Sequence, residues 1–355
     1  MVKYFIDGRF TVRKFGGQER FAYELLKELD EIVDGYDISL VVPQYATKID
    51  KYTNIKVVKY GKHKKGLLWE QIDFYKYVTK YKGIGIYLLN TWSVFKPSIV
   101  TIHDMSVFDI PKMYKNLYGI LSVKYHRLLY YIAAKKAEKI ITVSEFSKDR
   151  ISKILKVERD KIYVIGNGWQ HVNRIKDDYT VFDKHPEICK GQYYFSVSSL
   201  TPQKNFKWVK ENAFFNLQNM YVIAGEKIKL SNEKLNEYPS NVLFLGRVQD
   251  GEMKALMNNC KAFIHPAIYE GFGITPMEAL SVGAKVIVSN ASCLPEIYAD
   301  SVYYVDPYNY KINLDELLSE NIESADEVLN KYSWRTSAFL FKNLILEGDL
   351  KLDEK

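Results

Sequence analysis

The sequence predicts an α/β protein built from two doubly wound, Rossmann-like domains of similar size that face each other across a cleft. Three observations lead there. Short apolar runs alternate with longer amphipathic ones from end to end, the pattern of βα units assembling parallel sheets. At 355 residues the chain is too long for one ordinary core. The alternation also breaks once, at Gly166-Asn167-Gly168 and the polar, poorly patterned residues 171–190, and then starts afresh.

In the first half, residues 3–7, 38–42, 55–58, 86–89, 98–103, 140–143 and 162–165 read as strands, with helices expected over 18–29, 67–79, 115–137 and 145–155. In the second half the strands fall at 193–197, 220–224, 242–245, 262–265, 285–288 and 302–305, with a helix over 205–215. The domains that follow are 1–170 and 171–331, joined by residues 171–190 as a linker. Residues 332–355 make a closing amphipathic helix that crosses back to the first domain, then a frayed tail.

Composition narrows the function classes. The chain is 47% hydrophobic and 26% charged, as a globular protein is, and it has no run of about 20 uncharged apolar residues to span a bilayer. The start, Met1-Val2-Lys3-Tyr4-Phe5-Ile6-Asp7, becomes charged too early for a secretory signal, so a cytoplasmic location is expected. Cys189, Cys260 and Cys293 are odd in number and far apart, which argues against a disulfide framework or a structural zinc site.

Charge is uneven. Residues 1–170 carry 30 Lys/Arg against 18 Asp/Glu, whereas residues 171–355 carry 20 against 25. Two basic segments stand out: Lys59, Lys62, Lys64 and Lys65 before Leu67-Leu68-Trp69, and residues 112–139, with Lys115, Lys124, Arg127, Lys135 and Lys136 among Tyr and Leu. Cations beside aromatic and aliphatic side chains suit an anionic membrane surface or a lipid-diphosphate acceptor. A plain solvated basic face is the alternative, and nucleic acid is a poor candidate because no binding motif accompanies the charge.

The most informative segment runs His265-Pro266-Ala267-Ile268-Tyr269-Glu270-Gly271-Phe272-Gly273-Ile274-Thr275-Pro276-Met277-Glu278-Ala279-Leu280. A strand ends near His265, a glycine loop follows and a helix is expected to open at Pro276, so free amides and the positive helix end meet at one spot suited to phosphate. Gly271 and Gly273 let the backbone approach a ligand, and Glu270 and Glu278 can address hydroxyl groups on either side. Equally, Thr275-Pro276-Met277-Glu278 reads as a helix start with Thr275 as N-cap and Glu278 closing a capping box, so Glu278 is left between cap and ligand contact.

This segment resembles the Glu-x7-Glu signature of family 4 glycosyltransferases, together with Gly283-Ala284-Lys285-Val286-Ile287-Val288-Ser289 and Leu294-Pro295-Glu296-Ile297. The likeness spans nearly the whole chain: Ile6-Asp7-Gly8-Arg9 and Gly16-Gly17, Leu68-Trp69-Glu70-Gln71, Thr101-Ile102-His103-Asp104, Ile141-Thr142-Val143-Ser144-Glu145-Phe146-Ser147, Asn167-Gly168-Trp169-Gln170-His171 and Leu200-Thr201-Pro202-Gln203-Lys204-Asn205. Bacterial enzymes of capsule, O-antigen or exopolysaccharide assembly are the most similar group.

The resemblance implies the GT-B fold, a nucleotide-sugar donor and retention of anomeric configuration. It implies that Glu270 contacts the donor sugar, that the amides of Gly271, Phe272, Gly273 and Ile274 approach sugar and diphosphate, and that Glu278 binds the ribose. Lys204 would neutralise the departing diphosphate, although it could also be an ordinary surface lysine at a strand–helix turn. The family commonly has a second cation where this chain has Ser198, so Arg247 or the helix dipoles would carry more of that charge. His103, at the end of an expected strand, would approach the transferred centre or else cap a neighbouring loop. Gly16 and Gly17 resemble the loop beneath the donor diphosphate. Asp104, Trp69 and Glu70 are expected on the acceptor side, and Asp104 reads equally well as a turn carboxylate.

No Asp-x-Asp triplet occurs, so neither a metal nor another cofactor is expected beyond the nucleotide sugar. The expected partners are that donor, a lipid-linked saccharide acceptor and, peripherally, the inner face of an anionic plasma membrane. Sucrose-type soluble acceptors stay open. So do GDP-mannose, dTDP-rhamnose, UDP-glucose and UDP-N-acetylglucosamine, with UDP preferred. Rival readings are a nucleotide-sugar epimerase, a nicotinamide dehydrogenase that would lack a good Gly-x-Gly-x-x-Gly, and an idle sugar-nucleotide- or polysaccharide-binding protein.

Overall fold

The computed structural model describes residues 2–111, 117–197, 202–225 and 238–346, and the chain divides into two compact units. Unit 1 runs to Asn167 and resumes at Ser333; unit 2 is Gly168–Tyr332. Ser198, Leu200, Thr201, Lys112 and Lys115 lie outside the described residues.

Unit 1 is built on a seven-stranded sheet in the order β3-β2-β1-β4-β5-β6-β7, every described pairing parallel. The strands are β1 Tyr4–Asp7, β2 Ile38–Pro43, β3 Lys56–Tyr60, β4 Ile84–Tyr87, β5 Ile99–Thr101, β6 Lys139–Thr142 and β7 Ile162–Val164. β1, β2, β4 and β5 are buried at every position, as continuous apolar runs covered on both faces must be, while edge strand β3 presents Lys56, Val57 and Lys59 outward. The helices are α1 Gly17–Asp30, α2 Gly66–Leu68, α3 Tyr75–Lys80, α4 Ser106–Asp109, α5 Leu117–Lys136 and α6 Glu145–Leu155. α2 and α3 are joined by a π turn, Trp69–Phe74, inside what the sequence presents as one helix. α6 starts where Ser144 caps it by accepting the Ser147 amide at 3.1 Å.

Unit 2 repeats the plan with six parallel strands in the order β10-β9-β8-β11-β12-β13. They are β8 Tyr193–Val197, β9 Met220–Ala224, β10 Val242–Gly246, β11 Ala262–His265, β12 Val286–Ser289 and β13 Tyr303–Val305. Its helices are α7 Thr180–Lys184, α8 Phe206–Phe215, α9 Asp250–Asn258, α10 Ile274–Ser281, α11 Leu294–Tyr298, α12 Leu314–Leu317 and α13 Asp326–Lys331. The closing helix α14, Trp334–Leu346, belongs to unit 1: Trp334 meets Phe21 of α1 edge to face at 6.3 Å, and the Ser337 hydroxyl donates to the Gly166 carbonyl at 2.7 Å.

Residues 171–190 are not the linker that their polarity suggests. They hold a 3-10 turn, Gln170–Arg174, and α7, and they are bonded into unit 2 through Asp178 N–H to the Gly251 carbonyl at 3.0 Å and Lys184 to Glu252 at 2.6 Å. Gly251 is needed there, because a Cβ would sit 2.7 Å from the Lys176 carbonyl oxygen. The segment docks through buried His171, Val172, Val181 and Ile188, while most of its polar side chains stay exposed.

Candidate functional site

In an open parallel sheet, ligands bind beyond the carboxyl ends of the strands where the strand order reverses. In unit 2 that reversal lies between β8 and β11. The loops leaving these two strands carry Lys204 and Glu270.

The two loops are stitched together. The Ile268 amide donates to the Gln203 carbonyl at 2.7 Å, and the Asn205 side-chain amide donates to the carbonyls of Pro266 and Pro307 at 3.0 and 2.8 Å. Asn205 sits in the left-handed region with φ 54°, which Asn tolerates better than most residues, and it opens α8. Lys204 Nζ thereby lies 2.5 Å from Glu270 Oε1, the same oxygen that receives His265 Nε2 at 2.8 Å. The Ser292 hydroxyl accepts the Glu270 amide at 2.9 Å. Burial alone would raise the Glu270 pKa, but the Lys204 ammonium and the His265 hydrogen bond overcome it and hold the carboxyl at about 2. His265 is shifted down, chiefly by burial, so its neutral ring donates to an ionised carboxylate.

Past Glu270 the chain turns through Gly271, Phe272 and Gly273 into α10. The sequence places the helix start at Thr275-Pro276, and the structure corrects this. The N-cap is Gly273, no side chain caps the helix, and Ile274 is its first residue. Gly273 has φ 87°, and a Cβ there would lie 2.9 Å from a Leu294 methyl, so the turn requires glycine. Its carbonyl accepts the buried Tyr298 hydroxyl at 2.5 Å, and Phe272 is anchored edge to face on Tyr332 at 5.1 Å. No side chain caps the first amides of α10, and such a helix start is suited to receive an anion.

The start at Gly273 places Glu278 a full turn inside α10, out of reach of a capping box. Its Oε1 instead meets buried His171 Nε2 at 2.8 Å. Arg247 follows edge strand β10, two strands away from β8, and its side chain is exposed. The structure thus brings Lys204 and Glu270 together and sets Arg247 at the sheet's edge.

Unit 1 has its own reversal between β1 and β4. Here Glu70, on the π turn, is buried, and its Oε2 accepts Arg9 Nη1 at 2.9 Å and the Thr91 hydroxyl at 2.8 Å. His103 is buried at the end of β5. Its amide donates to Asn90 Oδ1 at 2.7 Å, its Nε2–H to the Leu88 carbonyl at 2.9 Å, and burial lowers its pKa, so the neutral ring carries its lone pair on Nδ1. Asp104 is a turn carboxylate accepting the Ser106 amide at 2.8 Å at the start of α4. Trp69 is corrected: its indole is fully buried, donates to the Tyr60 carbonyl at 2.8 Å and packs on Phe74, leaving no surface for an acceptor. Gly16 and Gly17 open α1. Gly16 has extended φ of −157°, where a Cβ would come 3.2 Å from Glu19 Oε2, and a Cβ on Gly17 would meet nothing within 4 Å, so packing within the chain does not demand glycine at Gly17.

Sequence reasoning assigned no role to His265, His171, Ser292, Arg9 or Thr91. His265 was readable as a polar residue ending an apolar strand; the others are set by contacts distant in sequence. Among the described residues, no group of three or more His, Cys, Asp or Glu is placed to hold a metal ion, and no helix is long and apolar enough to cross a membrane.

Comparison with known proteins agrees with this geometry. Residues 15–170 match the family described as Glycosyltransferase Family 4, and residues 178–333 the one described as Glycosyl transferases group 1. The O-antigen chain mannosyltransferase RfbU of Salmonella typhimurium is 27% identical over 261 residues, covering 72% of this chain and 69% of that protein. O-antigen chain mannosyltransferase B of Escherichia coli is 25% identical over 293 residues, covering 78% and 71%. In fold, the chain resembles sucrose-phosphate synthase from Thermosynechococcus elongatus, with a TM-score of 0.73 at 12% identity over 98% of this chain and 99% of that one. With two doubly wound units and these matches across both, the chain is a glycosyltransferase of the GT-B fold, related to those that build bacterial O-antigen chains.

Proposed function

We propose that the chain transfers a hexose from a nucleoside-diphosphate sugar to a lipid-linked saccharide in cell-surface polysaccharide assembly, with retention of configuration and without a metal ion. The observation that carries this is the Lys204–Glu270–His265 cluster beside the uncapped start of α10. In the free protein the Lys204 ammonium rests on Glu270. When donor binds, the ammonium moves to the diphosphate, joined by the α10 amides, and the released Glu270 carboxylate accepts hydrogen bonds from the sugar's hydroxyls. Departure of the diphosphate puts negative charge where a lysine and a helix start already point, the larger part of the barrier in such a transfer. Glu278, oriented by His171, takes the ribose.

Two named relatives transfer mannose, which supports a mannosyl donor. The UDP sugars preferred on sequence stay in the test panel. On unit 1, α5 presents Leu117, Ile120, Leu121, Leu128 and Tyr131 to solvent beside Lys124, Lys135 and Lys136, and Leu67 and Leu68 are exposed next to Lys62, Lys64 and Lys65. Apolar side chains flanked by lysines support peripheral binding to an anionic bilayer holding the acceptor lipid.

The test is to incubate the protein with GDP-mannose, UDP-glucose, UDP-N-acetylglucosamine and dTDP-rhamnose and to follow release of nucleoside diphosphate. Slow release from one donor, lost in Glu270→Ala and Lys204→Ala, is expected. Tight binding without turnover, even with lipid-linked saccharides, would make the chain a binding protein, and an epimerised sugar would make it an epimerase.

A further inference from the structure

Beneath the surface at the β1–β4 reversal of unit 1, four polar atoms are buried without a hydrogen-bond partner: Asp7 Oδ2, Arg9 Nε, the Tyr125 hydroxyl and His126 Nδ1. They belong to one cluster. Arg9 bonds Glu70 and Thr91, Tyr125 feels the charges of both Glu70 and Arg9, and His126 lies beside the Asn90 backbone, next to Thr91, and feels Arg9. Asp7 is itself buried, with its other oxygen accepting the Arg9 amide at 2.7 Å. Gly8 lets β1 deliver these two residues, since a Cβ there would strike the Val41 carbonyl at 2.5 Å.

Buried polar atoms are nearly always paired, and an orphan left without a partner is costly. Four at one strand-order reversal, where open α/β sheets bind ligands, mark a ligand site. Glu70 projects from a π turn, a distortion that recurs at functional sites. Arg9, Tyr125 and His126 are only partly buried as residues, so rotation of these side chains would open the cluster.

The chemistry of the set selects its ligand. Arg9 Nε is a donor, Asp7 Oδ2 is a carboxylate oxygen, and the Tyr125 hydroxyl and the His126 ring can each serve as donor or acceptor. Phosphate offers acceptors, and it would face the carboxyl groups of Glu70 and Asp7. The nearby cations are matched, Arg9 by Glu70 and Arg13 by Glu19 at 3.0 Å, so no surplus positive charge remains for an anion. Vicinal sugar hydroxyls offer donor and acceptor together.

Resting on the acceptor assignment of unit 1 proposed above, we infer that Asp7, Arg9, Glu70, Thr91, Tyr125 and His126 form a subsite for the hydroxyl-bearing face of an uncharged acceptor sugar, not for its phosphate. Saturation-transfer NMR of the full chain with methyl glucoside, galactoside and mannoside tests this, with Tyr125→Phe as the variant. At least one methyl hexoside should bind, inorganic pyrophosphate should not displace it, and Tyr125→Phe should weaken it about tenfold. The melting temperature of Tyr125→Phe should hold or rise, because its hydroxyl has no internal bond to lose. Displacement by pyrophosphate, an unchanged hexoside signal in Tyr125→Phe, or no hexoside bound at all would overturn the subsite. Glu270→Ala separates the two readings: it should abolish nucleotide-sugar binding and spare the Tyr125-dependent signal. Failure of the wild-type chain to bind any nucleotide sugar while that signal persists would sink the donor reading alone.

Discussion

At the scale of single residues, Glu270 is a buried carboxylate shared by a lysine and a histidine. Glu270 has a folded pKa of about 2 against an ordinary 4.5, so its contribution to stability is complete above pH 4.5 and is lost as pH falls toward 2. His265 acts in the same direction, because its neutral form is the favoured one in the fold. Thermal melts from pH 7 to pH 3 should fall in the wild type and be flatter below pH 4.5 in Glu270→Gln, a difference on the order of 3 kcal/mol at full effect. Equal slopes would mean that Glu270 is not held ionised. His171 should act through Glu278: His171→Ala is expected to raise the donor KM severalfold while leaving kcat within about twofold, since loss of ground-state and transition-state binding together alters KM alone. A matching fall in kcat would place His171 in the chemical step. These partners were out of reach of sequence reasoning because His171 and Glu278 are 107 positions apart, whereas Glu270 was legible from the glycine loop that frames it and Lys204 through the family resemblance.

At the scale of elements, all thirteen described strands lie where alternating apolar runs place them, and the strand borders move by no more than two residues. Periodicity is strong there because parallel strands covered on both faces tolerate few polar residues. The helix start after Glu270 was misplaced for a physical reason. Thr275-Pro276 is a good local start signal, but Gly273 in the left-handed region, fixed by the Tyr298 hydroxyl and Leu294, begins the helix two residues earlier. The same constraint gives a prediction. Gly273→Ala combines a positive φ with a Cβ contact of 2.9 Å, so it should destabilise the protein by about 1–2 kcal/mol and weaken nucleotide binding more than tenfold. Tyr298→Phe, which removes only the hydroxyl bond to the Gly273 carbonyl, should cost about 1 kcal/mol and less affinity. Calorimetric titration and chemical denaturation of both variants check the order, and equal nucleotide affinity in Gly273→Ala and wild type would contradict it.

At the scale of the whole molecule, each unit repeats the strand order 3-2-1-4-5-6, unit 1 adding a seventh strand. Internal sequence repeats do not announce it; the order arises because the chain winds outward from the first strand in one direction and then, from the fourth strand, in the other. What sequence could not reveal was the division of labour among polar side chains. Trp69 and Glu70 are neighbours in the chain, yet one fills the core and the other joins the Arg9 cluster, because consecutive residues on a helical turn point in different directions. The basic excess of residues 1–170 predicts salt-sensitive sedimentation with vesicles containing phosphatidylserine, reduced by Leu121→Ser with Leu128→Ser and absent with neutral vesicles. Binding indifferent to vesicle charge would refute the membrane reading. Activity should also survive excess chelator if, as proposed, Lys204 and the α10 amides carry the leaving-group charge.

The most direct measurement is calorimetric titration of the wild-type chain and Lys204→Met with UDP, GDP and dTDP. One nucleoside diphosphate should bind the wild type, and loss of the ammonium should weaken it by at least about tenfold through a missing charge-assisted hydrogen bond. Absence of binding to all three, or equal affinity in the two proteins, would contradict the donor site described for unit 2.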